Sequence, residues 1–372
     1  MPYRILHIAD VHLDMAFAGA GTALGRIHRK ELEAAFERAL GLAKERRVDA
    51  LCIAGDLYED GRAGSDRAAY LRDVLGDLAP IRVFISPGNH DPHTPASMYE
   101  RMGDAPDNVT IFGRRRFASA TLAEGLTLWG FGHEHGIDRD PAIGDFTCEG
   151  PGTHLLLFHG SDRDHMPPDK DGVAPFSGAE IERTGAAYAM VGHFHGMLQA
   201  PRYAYPGSLE PHTVAQDGRH TVSLVTIQDG RVSADFIDIN RVRYVDVDID
   251  ITHYGYQAEL ARAVEERLAT ATEGDGATYC RVRLGGLAQD SLDLDAASLE
   301  DDLAERFPGT RIVDGSAAVD LDAAAREGPT VRAHFVRSMR DRIAAAPVTE
   351  RPLLEDALRY GMLAFARKSI PA

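Results

Sequence analysis

The apolar positions of this chain come in two rhythms. Residues 4–9 form a short, nearly continuous apolar run, as a strand buried on both faces requires. Leu32, Ala35, Phe36, Ala39, Leu40 and Ala43 then recur at i, i+3 and i+4, which predicts one face of a helix. Residues 50–54 read as a second strand, 68–78 as a helix and 82–86 as a third strand. This βαβαβ order implies parallel strands with helices on the sheet faces. Short strands and turns dominate 108–132, and 155–158, 187–191 and 202–205 are further strands. Strands over 221–227 and 232–237, joined at Asp229-Gly230, read as a hairpin. The pattern predicts an α/β domain over residues 1–240, built as a two-sheet sandwich flanked by helices.

A second region repeats the alternation on a smaller scale. Strands are expected over 242–251 and 279–284, and helices over 256–269, 298–307 and 331–344. That is a smaller α/β unit over residues 241–345, a size that suits a compact domain. Ala345-Ala346-Pro347 reads as a break. A last helix over 352–368, within a segment taken as 346–372, carries Leu354, Leu358, Met362 and Phe365 on one stripe.

Composition narrows the function classes. The net charge is −17, so the chain is no basic magnet for nucleic acid. Both parts are acidic, at −11 up to Asn240 and −6 after it. A DNA substrate would need local arginines, bound metal or a partner to offset that field. No apolar run approaches a membrane span. The opening apolar run is broken by His7 and ends at Asp10, so no signal peptide is expected. Cys52, Cys148 and Cys280 are isolated and odd in number, which favours a reducing cytoplasm over a disulfide framework.

The candidate chemistry sits where the strands end. Five motifs, Asp10-Val-His12, Gly55-Asp56, Gly88-Asn89-His90-Asp91, His159-Gly160 and Gly192-His193-Phe194-His195, each close an apolar run. In open α/β sheets, sites collect beyond the carboxyl ends of strands. Asp, His and Asn are hard or borderline ligands for divalent metals, and two such metals activate water and stabilise a phosphoryl transition state. One motif would mean little; five in this order are specific.

These motifs resemble the calcineurin-like metallophosphoesterase superfamily, and within it the SbcD-type DNA repair exonucleases, including the YhaO-like branch. The resemblance rests on the opening Ile-Leu-His-Ile-Ala-Asp-Val-His-Leu, on Gly55-Asp56-Leu57-Tyr58, and on the segment from Gly192 to Pro211 that runs GHFH to YPGSLEP. It covers residues 1 to about 240. It implies a two-sheet metallophosphoesterase sandwich with a smaller α/β cap domain. It also implies a metal held by Asp10, His12, Asp56 and His195, and a second held by Asp56, Asn89, His159 and His193. Asp56 would bridge the two, and its shared carboxylate would offset their repulsion. The metals would be manganese, with iron or zinc also suited to the donors. His90 would contact the phosphate or protonate the leaving oxygen, with Asp91 orienting its imidazole. Glu59 stands where some relatives carry a histidine, which leaves the balance of exonuclease and endonuclease action open. The implied partners are DNA, an SbcC-like coiled-coil ATPase and, through the first domain, a second copy of the chain.

Other residues carry weaker signals. His133-Glu134-His135 lacks the helical HExxH spacing and reads as a loop. His7 is expected in the core or behind a ligand, and His212, close after the YPGSLEP turn, could approach the site but reads better as a surface loop. Arg114-Arg115-Arg116 reads as an exposed turn that could touch phosphates. Arg281 and Arg283 on a strand, with Arg332, Arg337, Arg340 and Arg342 on a helix, could face DNA or be a solvated face. The last helix could pack on its own domain or dock a partner. The leading function is a DNA nuclease of an SbcCD- or YhaO-like complex. A small-molecule phosphodiesterase, for example on cyclic nucleotides, is the rival, and a non-catalytic subunit is the third reading.

Overall fold

Two sheets that share one apolar layer organise the first 242 residues. The computed structural model describes residues 2–365 apart from 18–20, 63, 104, 137, 167–171, 272–277, 289–291, 308 and 319–320. The chain divides into two compact units, Met1–Val242 and Arg243–Ala372.

In the first unit the order is β1 (Tyr3–Ile8), α1 (Gly21–Glu45), β2 (Ala50–Ile53), α2 (Ser65–Gly76), β3 (Arg82–Ile85), α3 (Met98–Arg101) and β4 (Val109–Ile111). Then follow β5 (Ala118–Ala123), β6 (Leu126–Gly130), β7 (Thr153–His159), α4 (Gly178–Arg183), β8 (Tyr188–Gly192), β9 (Leu198–Gln199) and β10 (Tyr203–Tyr205). A hairpin of β11 (Thr221–Gln228) and β12 (Arg231–Asp238) closes the unit. One sheet runs β12-β11-β1-β2-β3-β4 and the other β5-β6-β7-β8-β10-β9. β1 to β4 are parallel, and β11 returns antiparallel beside β1. In the second sheet β6, β7, β8 and β10 are parallel.

Strand alternation explains how the layers stack. Leu6 and Ile8 face α1 and α2, packing with Phe36, Ala39, Leu71 and Leu75. Ile5 and Ala9 point the other way, into a layer shared with Leu155, Leu157 and Met190 of the second sheet. Leu156 and Phe158 of that sheet turn outward against Ile181 of α4 and Tyr203. The result is helix, sheet, sheet, helix. Small residues let the sheets meet near the site: a Cβ at Gly192 would collide with the Ala54 carbonyl oxygen.

The second unit holds β13 (Arg243–Asp250), α5 (Gln257–Ala271), β14 (Thr278–Gly285), β15 (Leu287–Ala288), α6 (Ala296–Leu303), β16 (Thr310–Asp314), β17 (Ala317–Ala318), α7 (Leu321–Arg326), α8 (Val331–Ala345) and α9 (Arg351–Phe365). β13, β14 and β16 form a parallel sheet. One face packs Val247, Ile249, Val282 and Leu284 against Leu260, Val264 and Leu268 of α5 and Leu299 of α6. On the other face the register sets Asp246 opposite Arg281 and Asp248 opposite Arg283. The Arg281 guanidinium donates to Asp246, and that of Arg283 donates to both Asp248 and Asp246, at 2.6–2.9 Å. The pair expected to face DNA or solvent is thus a charge-neutral ladder whose arginines remain solvated, at 38% and 42% exposed. The stripe of α9 is partly covered inside its own unit: Leu358 and Met362 pack on Val336 and Met339 of α8, Leu354 is half-buried and Phe365 is 40% exposed. Its predicted end at 368 lies outside the described residues. Among the described residues no helix is long and apolar enough to cross a membrane.

Candidate metal centre

Every ligand predicted from the motifs lies at or just beyond the carboxyl end of a parallel strand. Asp10 and His12 follow β1, Asp56 follows β2 and Asn89 follows β3. His159 ends β7, and His193 and His195 follow β8. The loops reach inward because their backbone turns sharply there. Asp10, His12 and Asp56 take φ of 51°, 51° and 52°, and His193 takes 117°. This left-handed region disfavours side chains. The turns are braced across the loops: Asp10 N–H donates to Gly55 O at 3.1 Å and His12 N–H to Asp56 O at 2.9 Å. His193 N–H donates to both Asp10 carboxylate oxygens, at 3.1 and 3.0 Å, tying the two sheets at the site.

Asp56 is central. Its Oδ2 lies 3.3 Å from His159 Nε2 and 3.6 Å from His12 Nε2, while Oδ1 accepts the His90 N–H at 2.8 Å. His159 Nε2 is also 3.0 Å from Asn89 Oδ1 and 3.2 Å from His193 Nδ1. The other His159 nitrogen pairs with the Ala54 carbonyl at 2.9 Å, which fixes the ring and aims Nε2 at this cluster. Among the donor groups that result are Asp10-His12-Asp56 and Asp56-His159-His193, with donor atoms within 4.8 Å of one another in each. Burial alone would raise the Asp56 carboxyl, but the adjacent His159 and His12 hold it well below the usual carboxylate range. It is ionised, as a ligand must be. His12 Nε2 is buried with no hydrogen-bond partner, an arrangement that a cation would satisfy. The donors suit divalent metals with a taste for imidazole and carboxylate.

The residues around His90 correct one expectation. Asp91 does not orient His90. Fully buried, it accepts from Asp56 N–H at 3.0 Å, Gly88 N–H at 2.6 Å, Leu57 N–H at 2.7 Å and the Tyr99 hydroxyl at 2.6 Å. Its short side chain is spent on clamping the loops after β2 and β3 together. The partner of His90 is Glu59, whose Oε2 lies 3.1 Å from His90 Nδ1 while Oε1 lies 2.7 Å from His12 Nδ1. That bond outweighs burial and raises His90 to about 9. Burial would raise Glu59, but its bonds to His12 and His90 bring it down to about 2. His90 is the exposed member, with 46% of its side chain accessible.

The remaining candidates sort themselves by contact. His133 is buried and lies against His159, its Nε2 2.9 Å from the His159 carbonyl; it supports the strand end. Glu134 and Arg114 form an ion pair at 3.1 Å, and His135 is exposed. Arg115 binds Asp138 and the Asp140 carbonyl, so of the three arginines only Arg114 and Arg116 are exposed. On α8, Arg332 pairs with Glu327, Arg340 with Asp322 at 2.7 Å, and Arg337 donates to the Ala325 carbonyl at 2.7 Å. His7 is in the core, brought down to about 3 by burial. His212 departs from expectation: it is buried, beside His12 and His195. Gln216, which carried no motif signal, lies 2.9 Å from His195 Nδ1 through its amide nitrogen. In YPGSLEP, Glu210 is buried and binds Arg38 and the amides of Arg241 and Val242, fastening the end of the first unit.

Comparison with known proteins agrees with this layout. The chain is similar to the uncharacterized metallophosphoesterase YhaO of Bacillus subtilis, with 24% identity over 77% of this chain and 72% of that protein. It is similar to the DNA double-strand break repair protein Mre11 of Methanopyrus kandleri, at 25% identity over 70% of this chain. The Mre11 of Aeropyrum pernix is 31% identical over 57% of this chain. The matches span 62% and 55% of those two Mre11 chains. The family profile described as calcineurin-like phosphoesterase matches residues 3–197, from the first strand through the last predicted ligand. The chain belongs to the calcineurin-like phosphoesterase family.

Proposed function

We propose that this phosphoesterase is a metal-dependent nuclease that cleaves DNA phosphodiester bonds. The observation that carries the reading is the convergence of Asp10, His12, Asp56, Asn89, His159, His193 and His195 beneath an exposed His90. Asp10, His12, Asp56 and His195 hold one metal; Asp56, Asn89, His159 and His193 hold the other. Bound there, two divalent cations supply Lewis acidity and an activated water; manganese is the proposed native ion. Glu59 keeps His90 protonated at neutral pH, so the imidazolium binds a phosphate oxygen and protonates the departing oxygen. Asp91 fixes the loops on which Asp56 and Asn89 ride.

The choice of DNA is supported by the likeness to Mre11, which at 70% of the chain runs past the family profile. In this reading the second unit serves as a cap that selects DNA. The chain works in the cytoplasm as the nuclease subunit beside an SbcC-like coiled-coil ATPase, and itself pairs as a homodimer. A small-molecule phosphodiesterase is the second reading. It is favoured by the net charge of −17 and by the internal pairing of Arg281 and Arg283.

The test is manganese-dependent release of nucleotides from linear duplex DNA, with chelator and His90→Ala as controls. Cleavage lost in both supports the nuclease. No cleavage of DNA, with cyclic nucleotides or a simple phosphodiester still hydrolysed, moves the assignment to the second reading.

A further inference from the structure

One buried histidine has no role in the chemistry so far. His212 follows the YPGSLEP turn and is 4% exposed. Its ring centre lies 4.9 Å from that of His12 and 4.7 Å from that of His195, and those two are 5.0 Å apart. The three rings meet edge to face, and a ring nitrogen of each lies within 4.8 Å of the others. Neither His212 nitrogen has a hydrogen-bond partner, and nor has His12 Nε2. Gln216 holds the arrangement: its Oε1 accepts the His212 backbone N–H at 2.9 Å, and its amide nitrogen lies 2.9 Å from His195 Nδ1.

Packing alone explains this poorly. A buried imidazole with both nitrogens unmet forfeits the hydrogen bonds it makes in water. An aromatic or aliphatic side chain would fill the space without that loss. Three imidazoles converging on one point, with a carboxylate at Asp56 beside them, form a donor set for a cation of borderline softness.

We propose that His212 is a fifth ligand of the metal held by Asp10, His12, Asp56 and His195. This rests on the dinuclear reading given above and deepens it. That pocket then offers three nitrogens and two carboxylates, whereas the other offers His159 and His193 with Asp56 and Asn89. The two pockets are unequal. By ligand type the first is biased toward iron, cobalt or zinc over manganese, relative to the second.

The test is metal binding, read without turnover. Metal-stripped full-length protein is titrated with Zn2+ and separately with Mn2+ by calorimetry, and the Co2+-loaded form is followed by its visible absorption. Wild type, His212→Ala and His193→Ala are compared. The inference expects two sites in wild type. In His212→Ala it expects one site weakened for Zn2+ by about tenfold or more, a smaller loss for Mn2+, and an altered Co2+ spectrum. His193→Ala should weaken the other site. Should His212→Ala fail to fold, His212→Phe keeps the ring volume without the donors and carries the same comparison. Two sites in wild type with unchanged constants and an unchanged Co2+ spectrum in the His212 variants would overturn the fifth ligand. A wild type that binds no metal would instead bring down the dinuclear reading itself.

Discussion

Glu59 shows how much a single carboxylate can organise. One oxygen holds His12 and the other holds His90, so a metal-ligand candidate and the proposed acid share one support. The pH dependence of the metal-free protein follows from the signs. Glu59 falls from 4.5 to about 2 on folding; its contribution is present above 4.5 and is lost as pH drops toward 2. His90 rises from 6.5 to about 9; its contribution is full below 6.5 and is lost as pH rises through 9. Melting temperatures in chelator should therefore decline in both windows, and Glu59→Gln should flatten both. Asp91 makes a different prediction. Asp91→Ala orphans three backbone N–H groups and the Tyr99 hydroxyl, and should cost at least about 3 kcal/mol in urea unfolding. A residue that merely oriented His90 would cost little stability. The seven ligand candidates were legible in the sequence because each ends an apolar run, and strand ends are fixed by the fold. Glu59, Asp91 and His212 were misread or left open because their partners are set by loop conformation, which no periodicity encodes.

At the scale of elements, the site depends on how closely β8 approaches β2. The Gly192 position faces the Ala54 carbonyl with no room for a methyl group, and backbone cannot swing aside as a side chain would. Gly192→Ala should destabilise the first unit by about 1–3 kcal/mol, measured by its denaturant midpoint. It should also weaken metal binding, because His193 and His195 hang from the same strand. The buried parallel strands of the first unit were readable as short continuous apolar runs, and the longer helices from their period of 3.6. The two-residue β9 and β17 were not, since they carry too few positions to show a period. Arg281 and Arg283 show a further limit: their alternation on β14 was plain, but the acidic partners come from β13, and only the register pairs them.

For the whole molecule, charge decides which surfaces can meet a polyanion. The Arg281 and Arg283 guanidinium groups already serve Asp246 and Asp248. Replacing Arg281, Arg283, Asp246 and Asp248 together by alanine removes the ladder without changing net charge, and should therefore leave DNA affinity, and its dependence on salt, within about twofold of wild type. A steep loss would show that the ladder opens to bind phosphate. The division at Val242 makes another prediction. A chain of residues 1–242 contains all the ligand candidates and both large sheets. It should bind metals and hydrolyse a simple phosphodiester, while losing most activity on duplex DNA if the second unit selects that substrate.

The positive φ angles at Asp10, His12, Asp56 and His193 have an evolutionary meaning. Glycine would ease the backbone at each by about 1 kcal/mol or more, but at Asp10 and Asp56 it would also orphan the His193 and His90 N–H groups that those carboxylates hold, whereas the His193 side chain holds no backbone N–H in return for its strain. Keeping a bulky polar side chain at His193 is a trade of robustness for chemistry. A deep mutational scan scored for abundance in the cell, with no assay of catalysis, should therefore find glycine tolerated better at His193 than at Asp10 or Asp56.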